Sequence, residues 1–86
     1  MKIDKVLMVD DDDYIRKIAE ISLKKVGKWQ VSLAKSGHDA LAMVQNETPD
    51  VILMDVTMPE MDGPATFARL QASPSTSGIP VIFMTG

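Results

Sequence analysis

With 86 residues, no cysteine, 45% hydrophobic and 24% charged side chains, the chain is sized for one small globular domain spanning residues 1–86. The lack of cysteine excludes disulfides, thiolate metal sites and cysteine nucleophiles. A net charge of −3 with no basic stripe argues against a nucleic-acid partner. The opening Met1-Lys2-Ile3-Asp4 begins no long apolar segment, so neither signal peptide nor membrane span is predicted and a cytoplasmic protein is expected.

Lys5 to Val9 is a short apolar run that reads as a buried strand, and it ends in acid, Asp10 to Asp13. The period then changes. Ile15, Ile18, Ala19, Ser22, Leu23 and Val26 share one helical face, while Arg16, Lys17, Glu20, Lys24 and Lys25 take the other. Asp12 and Asp13 suit the positive end of the helix dipole, Lys24 and Lys25 the negative end, and Gly27 is expected to stop the helix. Trp29 to Ala34 alternates with period two, which predicts an edge strand with one wetter face. Ser36-Gly37-His38-Asp39 is a helix start of capping-box type, with Asp39 in place of the usual Glu or Gln. The helix is expected over 38–46, with Ala40, Leu41 and Val44 inward. His38, the single histidine, reads as a solvated first-turn residue rather than a ligand.

The stretch from Pro49 to Pro64 organises the rest. Val51 to Met54 lacks polar alternation and reads as a strand buried on both faces. It stops at Asp55, which belongs at the strand's C-terminal mouth, where open α/β sheets place their ligands. Met58-Pro59 and Asp62-Gly63 are turn signals, and Pro64 fits the first turn of a helix over 65–72 with Phe67 and Leu70 inward. Residues 73–78 form a loop by composition, and Ile79 to Met84 is a fourth strand followed by Thr85 and Gly86.

Strands alternating with helices predict a parallel sheet with right-handed crossovers and helices on both faces. Such a sheet brings Asp10, Asp11, Asp55 and Thr85 to one mouth. Carboxylates gathered there repel unless they hold a proton or a cation. A hard, oxygen-rich, water-accessible donor set suits Mg²⁺. Aspartate is also a nucleophile towards phosphorus, and Thr85 or loop amides after Asp55 can bond phosphoryl oxygens. An EF-hand is excluded, because its sixth and twelfth positions counted from Asp10 are Ile15 and Ile21. A phosphomonoesterase is disfavoured, because Thr57 stands where a second acid is needed.

The chain resembles the receiver domain of two-component response regulators, of the flavodoxin-like, chemotaxis-receiver type. The resemblance rests on Val9-Asp10-Asp11 with Arg16 following, on Leu53-Met54-Asp55-Val56-Thr57-Met58-Pro59-Glu60-Met61-Asp62-Gly63, and on Thr85 closing strand four. It implies a three-layer α/β/α fold with strand order 2-1-3-4. By the same resemblance Asp55 is the phosphoacceptor, charged from the phosphohistidine of a histidine kinase or phosphotransfer protein. Asp10, Asp11, Asp55 and the Thr57 carbonyl are the implied ligands of Mg²⁺ (or Mn²⁺). Thr57 and Gly86 are the implied N–H donors to the phosphoryl group, and Thr85 is the switch hydroxyl. Catalysis beyond slow self-dephosphorylation is not expected.

The resemblance also implies a further helix, a fifth strand ending in a lysine, and a final helix after strand four. The chain stops before them. Strand four is therefore expected to be an open edge, with Met8, Val81 and Phe83 as exposed apolar surface and self-association as the consequence. The alternative function is a signalling-impaired receiver fragment acting as an interaction module.

Overall fold

The computed structural model describes residues 2–84, so Thr85 and Gly86 lie outside the described residues. The chain runs β1 (Lys5–Val9), α1 (Asp13–Gly27), β2 (Gln30–Ala34), α2 (Gly37–Asn46), β3 (Val51–Asp55), α3 (Gly63–Gln71) and β4 (Val81–Met84). All three strand pairs are parallel, as the alternation predicts, and the order is β2-β1-β3-β4, as the resemblance implies.

The register divides the sheet into two faces. Leu7, Val9, Ile52 and Met54 point to one side, where they bury against Ala40 and Val44 of α2 and Leu70 of α3. Val6, Val51 and Leu53 point to the other, towards Leu23 of α1 and Trp29. Helices therefore lie on both faces, giving the three-layer flavodoxin-like arrangement. β2 is the wetter edge, with exposed Gln30 and Ser32 alternating with half-buried Val31 and Leu33.

Several boundaries and faces differ from the sequence reading. α3 begins at Gly63, because Asp62 caps it by accepting the Ala65 N–H at 2.8 Å. β4 begins at Val81, after Pro80, which has no N–H to give the ladder. α1 is rotated about its axis. Its sheet-facing positions are Arg16, Ala19, Glu20 and Leu23, while Ile15, Ile18, Ile21 and Val26 are exposed. Two contacts explain the rotation. The Arg16 guanidinium bonds the Asp10 carbonyl at 2.7 Å, turning that position inward. At the other end a Cβ on Gly27 would lie 2.3 Å from the Trp29 ring. Gly27 is thus the last helical residue, kept small for the indole, and the left-handed position that ends the helix is Lys28, with φ 56°.

The exposed apolar surface is also corrected. Met8 is buried, since it lies on a central strand in the row Met8, Leu53, Ile82. Val81 is half-buried against the core. The open residues of edge strand β4 are Ile82, 55% exposed, and Phe83, which meets Phe67 edge-to-face at 5.8 Å.

Candidate functional site

The site lies where β1 and β3 end side by side. The Asp10 N–H donates to the Ala34 carbonyl at 3.1 Å, so the end of β1 is tied to the end of β2. Arg16 holds the Asp10 carbonyl, and its other amino group pairs with Asp13. The Asp10 carboxylate accepts the Asp12 N–H at 2.9 Å. Asp12 is itself the N-cap of α1, accepting the N–H groups of Tyr14 and Ile15. Of the four consecutive aspartates, Asp12 and Asp13 are therefore used locally and Asp10 and Asp11 remain for the mouth.

From β3 comes Asp55. Carboxylate oxygens of Asp10, Asp11 and Asp55 all lie within 4.8 Å of one another. Asp10 is buried, Asp55 half-buried and Asp11 exposed, so the cluster opens to water on one side. Burial pushes the Asp10 carboxyl up from its ordinary value; the Asp12 N–H opposes that, and the charges of Asp55, Asp11 and Asp12 add to it. Three oxygen donors at this spacing, accessible to water, fit a small hard divalent cation that keeps several water ligands.

The loop after β3 is positioned by backbone. Thr57, exposed, donates its N–H to Asp55 Oδ1 at 3.3 Å. The Val56 N–H reaches the Met84 carbonyl at 3.3 Å, and the Gly63 N–H reaches the Val56 carbonyl at 2.8 Å. A Cβ on Gly63 would lie 2.5 Å from the Asp55 carbonyl oxygen. Gly63 therefore lets α3 start directly against the carbonyl of the central aspartate. Neither this role nor the Arg16 clamp is legible from the turn signal Asp62-Gly63 or from helical periodicity. Thr85 and Gly86 fall outside the described residues. His38 is exposed, in keeping with a first-turn position.

An aspartate at the end of a buried parallel strand, beside two acids from the neighbouring strand, has the chemistry to act as a nucleophile next to a bound cation. The family model for the response regulator receiver domain matches residues 6–86. Transcriptional regulatory protein ZraR of Salmonella typhimurium is 45% identical over 84 residues, covering 98% of this chain and 18% of ZraR. Protein PilG of Pseudomonas aeruginosa is 40% identical over 81 residues, covering 94% of this chain and 59% of PilG. The chain thus spans less than two thirds of these relatives' length. Chemotaxis protein CheY4 of Vibrio cholerae superposes with a TM-score of 0.87 at 33% identity, covering 95% of this chain and 68% of CheY4. The N-terminal receiver domain from Methanoculleus marisnigri superposes with a TM-score of 0.90 at 32% identity, covering 95% of this chain and 66% of that one. The strand order, the acidic mouth and these matches agree: the chain belongs to the response regulator receiver domain family of two-component systems.

Proposed function

We propose that residues 1–86 form a phosphoacceptor module in which Asp55 takes a phosphoryl group from the phosphohistidine of a histidine kinase or phosphotransfer protein. The observation that carries this reading is the cluster of Asp10, Asp11 and Asp55 oxygens within 4.8 Å of one another. An Asp55 oxygen attacks phosphorus, the new O–P bond forms, and the P–N bond of the donor breaks with its electron pair returning to the imidazole nitrogen. Asp10, Asp11, Asp55 and the Thr57 carbonyl would hold Mg²⁺ (or Mn²⁺), which supplies charge neutralisation at the transferring group. The N–H groups of Thr57 and Gly86 would bond phosphoryl oxygens.

Thr85 would be the switch hydroxyl. The hydrogen bond from Val56 to the Met84 carbonyl supports that role, because it ties the end of β4 to the loop after Asp55. The module acts as a switch, with no turnover beyond slow loss of its own acyl phosphate. In this reading it works in the cytoplasm, beside an ATP-charged kinase.

The test is intact mass after incubation with acetyl phosphate and Mg²⁺. One phosphoryl group is expected on the wild type, and none with EDTA or in Asp55→Asn. A folded wild type that gains nothing would overturn the reading. A second reading, an interaction module, is favoured by Ile82, 55% exposed on the edge strand β4, which suits pairing with a second copy. Light scattering at rising concentration tests it, and a monomer throughout excludes it.

A further inference from the structure

Beside the acidic mouth lies a groove of about 300 Å³ lined by Asp11, Lys35, Ser36, His38, Pro59 and Glu60. Resting on the phosphoacceptor reading, we propose that Lys35 is a specificity-determining cation for it. Its ammonium steers an anionic phosphodonor into the mouth and offsets part of the mouth's negative charge.

Both walls of the groove are built rather than loose. Ala34 accepts the Asp10 N–H at 3.1 Å, so Lys35 leaves the sheet one residue from the acid pair. The Lys35 N–H donates to the Asp39 carboxylate at 3.2 Å, while the Asp39 N–H donates to Ser36 Oγ at 3.0 Å. This reciprocal box fixes the backbone from which the lysine side chain projects. Gly37 seals it against α3, since a Cβ there would lie 2.2 Å from Thr66 Oγ1. Across the groove, the Met61 N–H reaches the Pro59 carbonyl at 2.7 Å around Glu60, whose φ is 67°. That is a γ-turn of the rarer, more strained positive-φ kind, and such geometry concentrates at functional sites.

The charges of the described residues single out Lys35. Arg16 is occupied by Asp10 and Asp13. Lys17 and Lys24 pair with Glu20, and Lys5 with Glu47 at the opposite end of the sheet. Lys25 and Lys28 lie at the far end of α1, roughly 20 Å along the helix from its acidic start. Arg69 lies in the last turn of α3, away from its start at the mouth, and Lys2 precedes β1 at the opposite end of the sheet. Lys35 has no ion pair among the described residues and lines the groove together with Asp11. Three carboxylates with one divalent cation remain net negative, and a phosphodonor is an anion. A solvated cation at the rim therefore raises the rate of productive encounter.

The same placement predicts opposite effects on the two ligands. In Lys35→Gln, the second-order rate of Asp55 phosphorylation by acetyl phosphate with excess Mg²⁺ should fall about two- to fivefold at low ionic strength. That is the scale of one solvated charge acting on a dianion at about 10 Å. The deficit should shrink to near unity at about 0.5 M salt, where the Debye length is a few ångströms. Mg²⁺ binding by calorimetry should tighten, because a repelling cation has been removed. Lys35→Arg should match the wild type in both measurements. A Lys35→Gln rate equal to wild type, a deficit independent of salt, or weakened Mg²⁺ binding would each overturn the proposal. A wild type that is not phosphorylated at all overturns the phosphoacceptor reading, and this proposal with it.

Discussion

Replacing Asp10 with Asn should make the metal-free protein more stable while removing most of what Mg²⁺ adds. The carboxylate oxygens of Asp10, Asp11 and Asp55 lie within 4.8 Å of one another. Two like charges at that distance repel by about 0.9 kcal/mol at the dielectric of water and about 3.5 kcal/mol at an effective dielectric of 20. Asp10 faces two such partners and is itself buried, so both desolvation and repulsion act against its charge. Asn keeps an oxygen for the Asp12 N–H, although a neutral acceptor is weaker by roughly 1 kcal/mol. The net gain expected is about 1–3 kcal/mol at neutral pH and low salt, or at least about 5 °C in melting temperature for a domain of this size.

The pH dependence has a definite sign. The folded-state pKa of Asp10 is raised, so the native state binds this proton more tightly than the unfolded state. The contribution of Asp10 to stability therefore falls as pH rises through that value, and the advantage of Asp10→Asn appears above it and fades towards pH 4. Thermal melts of both proteins, in EDTA and in excess Mg²⁺, measure all of this. With metal the order should reverse or close, because the wild type gains binding energy that the variant lacks. A variant that melts below the wild type in EDTA, or that gains as much from Mg²⁺, would refute the picture of a strained cation site.

Three further outcomes are expected. Gly63→Ala should cost about 1–3 kcal/mol by urea denaturation, because its Cβ would lie 2.5 Å from the Asp55 carbonyl oxygen and α3 has to move back. Lys28→Gly should raise the urea midpoint, by up to about 1 kcal/mol, since glycine takes the left-handed φ of 56° without a Cβ clash. Asp50 accepts the N–H groups of Asp4 and Lys5, which hold its carboxyl below the ordinary value. Its stabilisation is present above the unfolded-state value of about 3.8 and lost as pH falls through the folded one, so Asp50→Ala should trail the wild type at pH 7 by more than at pH 3.

The elements and their order were legible because short buried strands and amphipathic helices leave different periods in a sequence. The acidic mouth followed from topology alone, since parallel strands joined by right-handed crossovers bring their C-terminal ends together. The orientation of α1 was not legible. Ile15, Ile18 and Val26 form a plausible apolar stripe, but a hydrogen bond from Arg16 back to the Asp10 carbonyl and a steric fit between Gly27 and Trp29 set the rotation instead. Asp39 takes the Lys35 N–H in its capping box because its side chain lies against the residue before the cap.

The same division holds at the site. Local pattern named Asp10, Asp11 and Asp55, because acids that end apolar strands stand out in any apolar run. What shapes the mouth around them came from close contacts that no pattern displays: the Arg16 clamp on the Asp10 carbonyl, the missing Cβ of Gly63 against the Asp55 carbonyl, and the γ-turn at Glu60. Sequence alone determined the alternating elements, the parallel sheet and which strands end in acid, since these depend on periodicity and chain connectivity, while the strand order came from the resemblance of its motifs to receiver domains. Tertiary structure decided which face of α1 is covered and how closely the loops approach the acids, since those depend on single atoms meeting outside any periodic pattern.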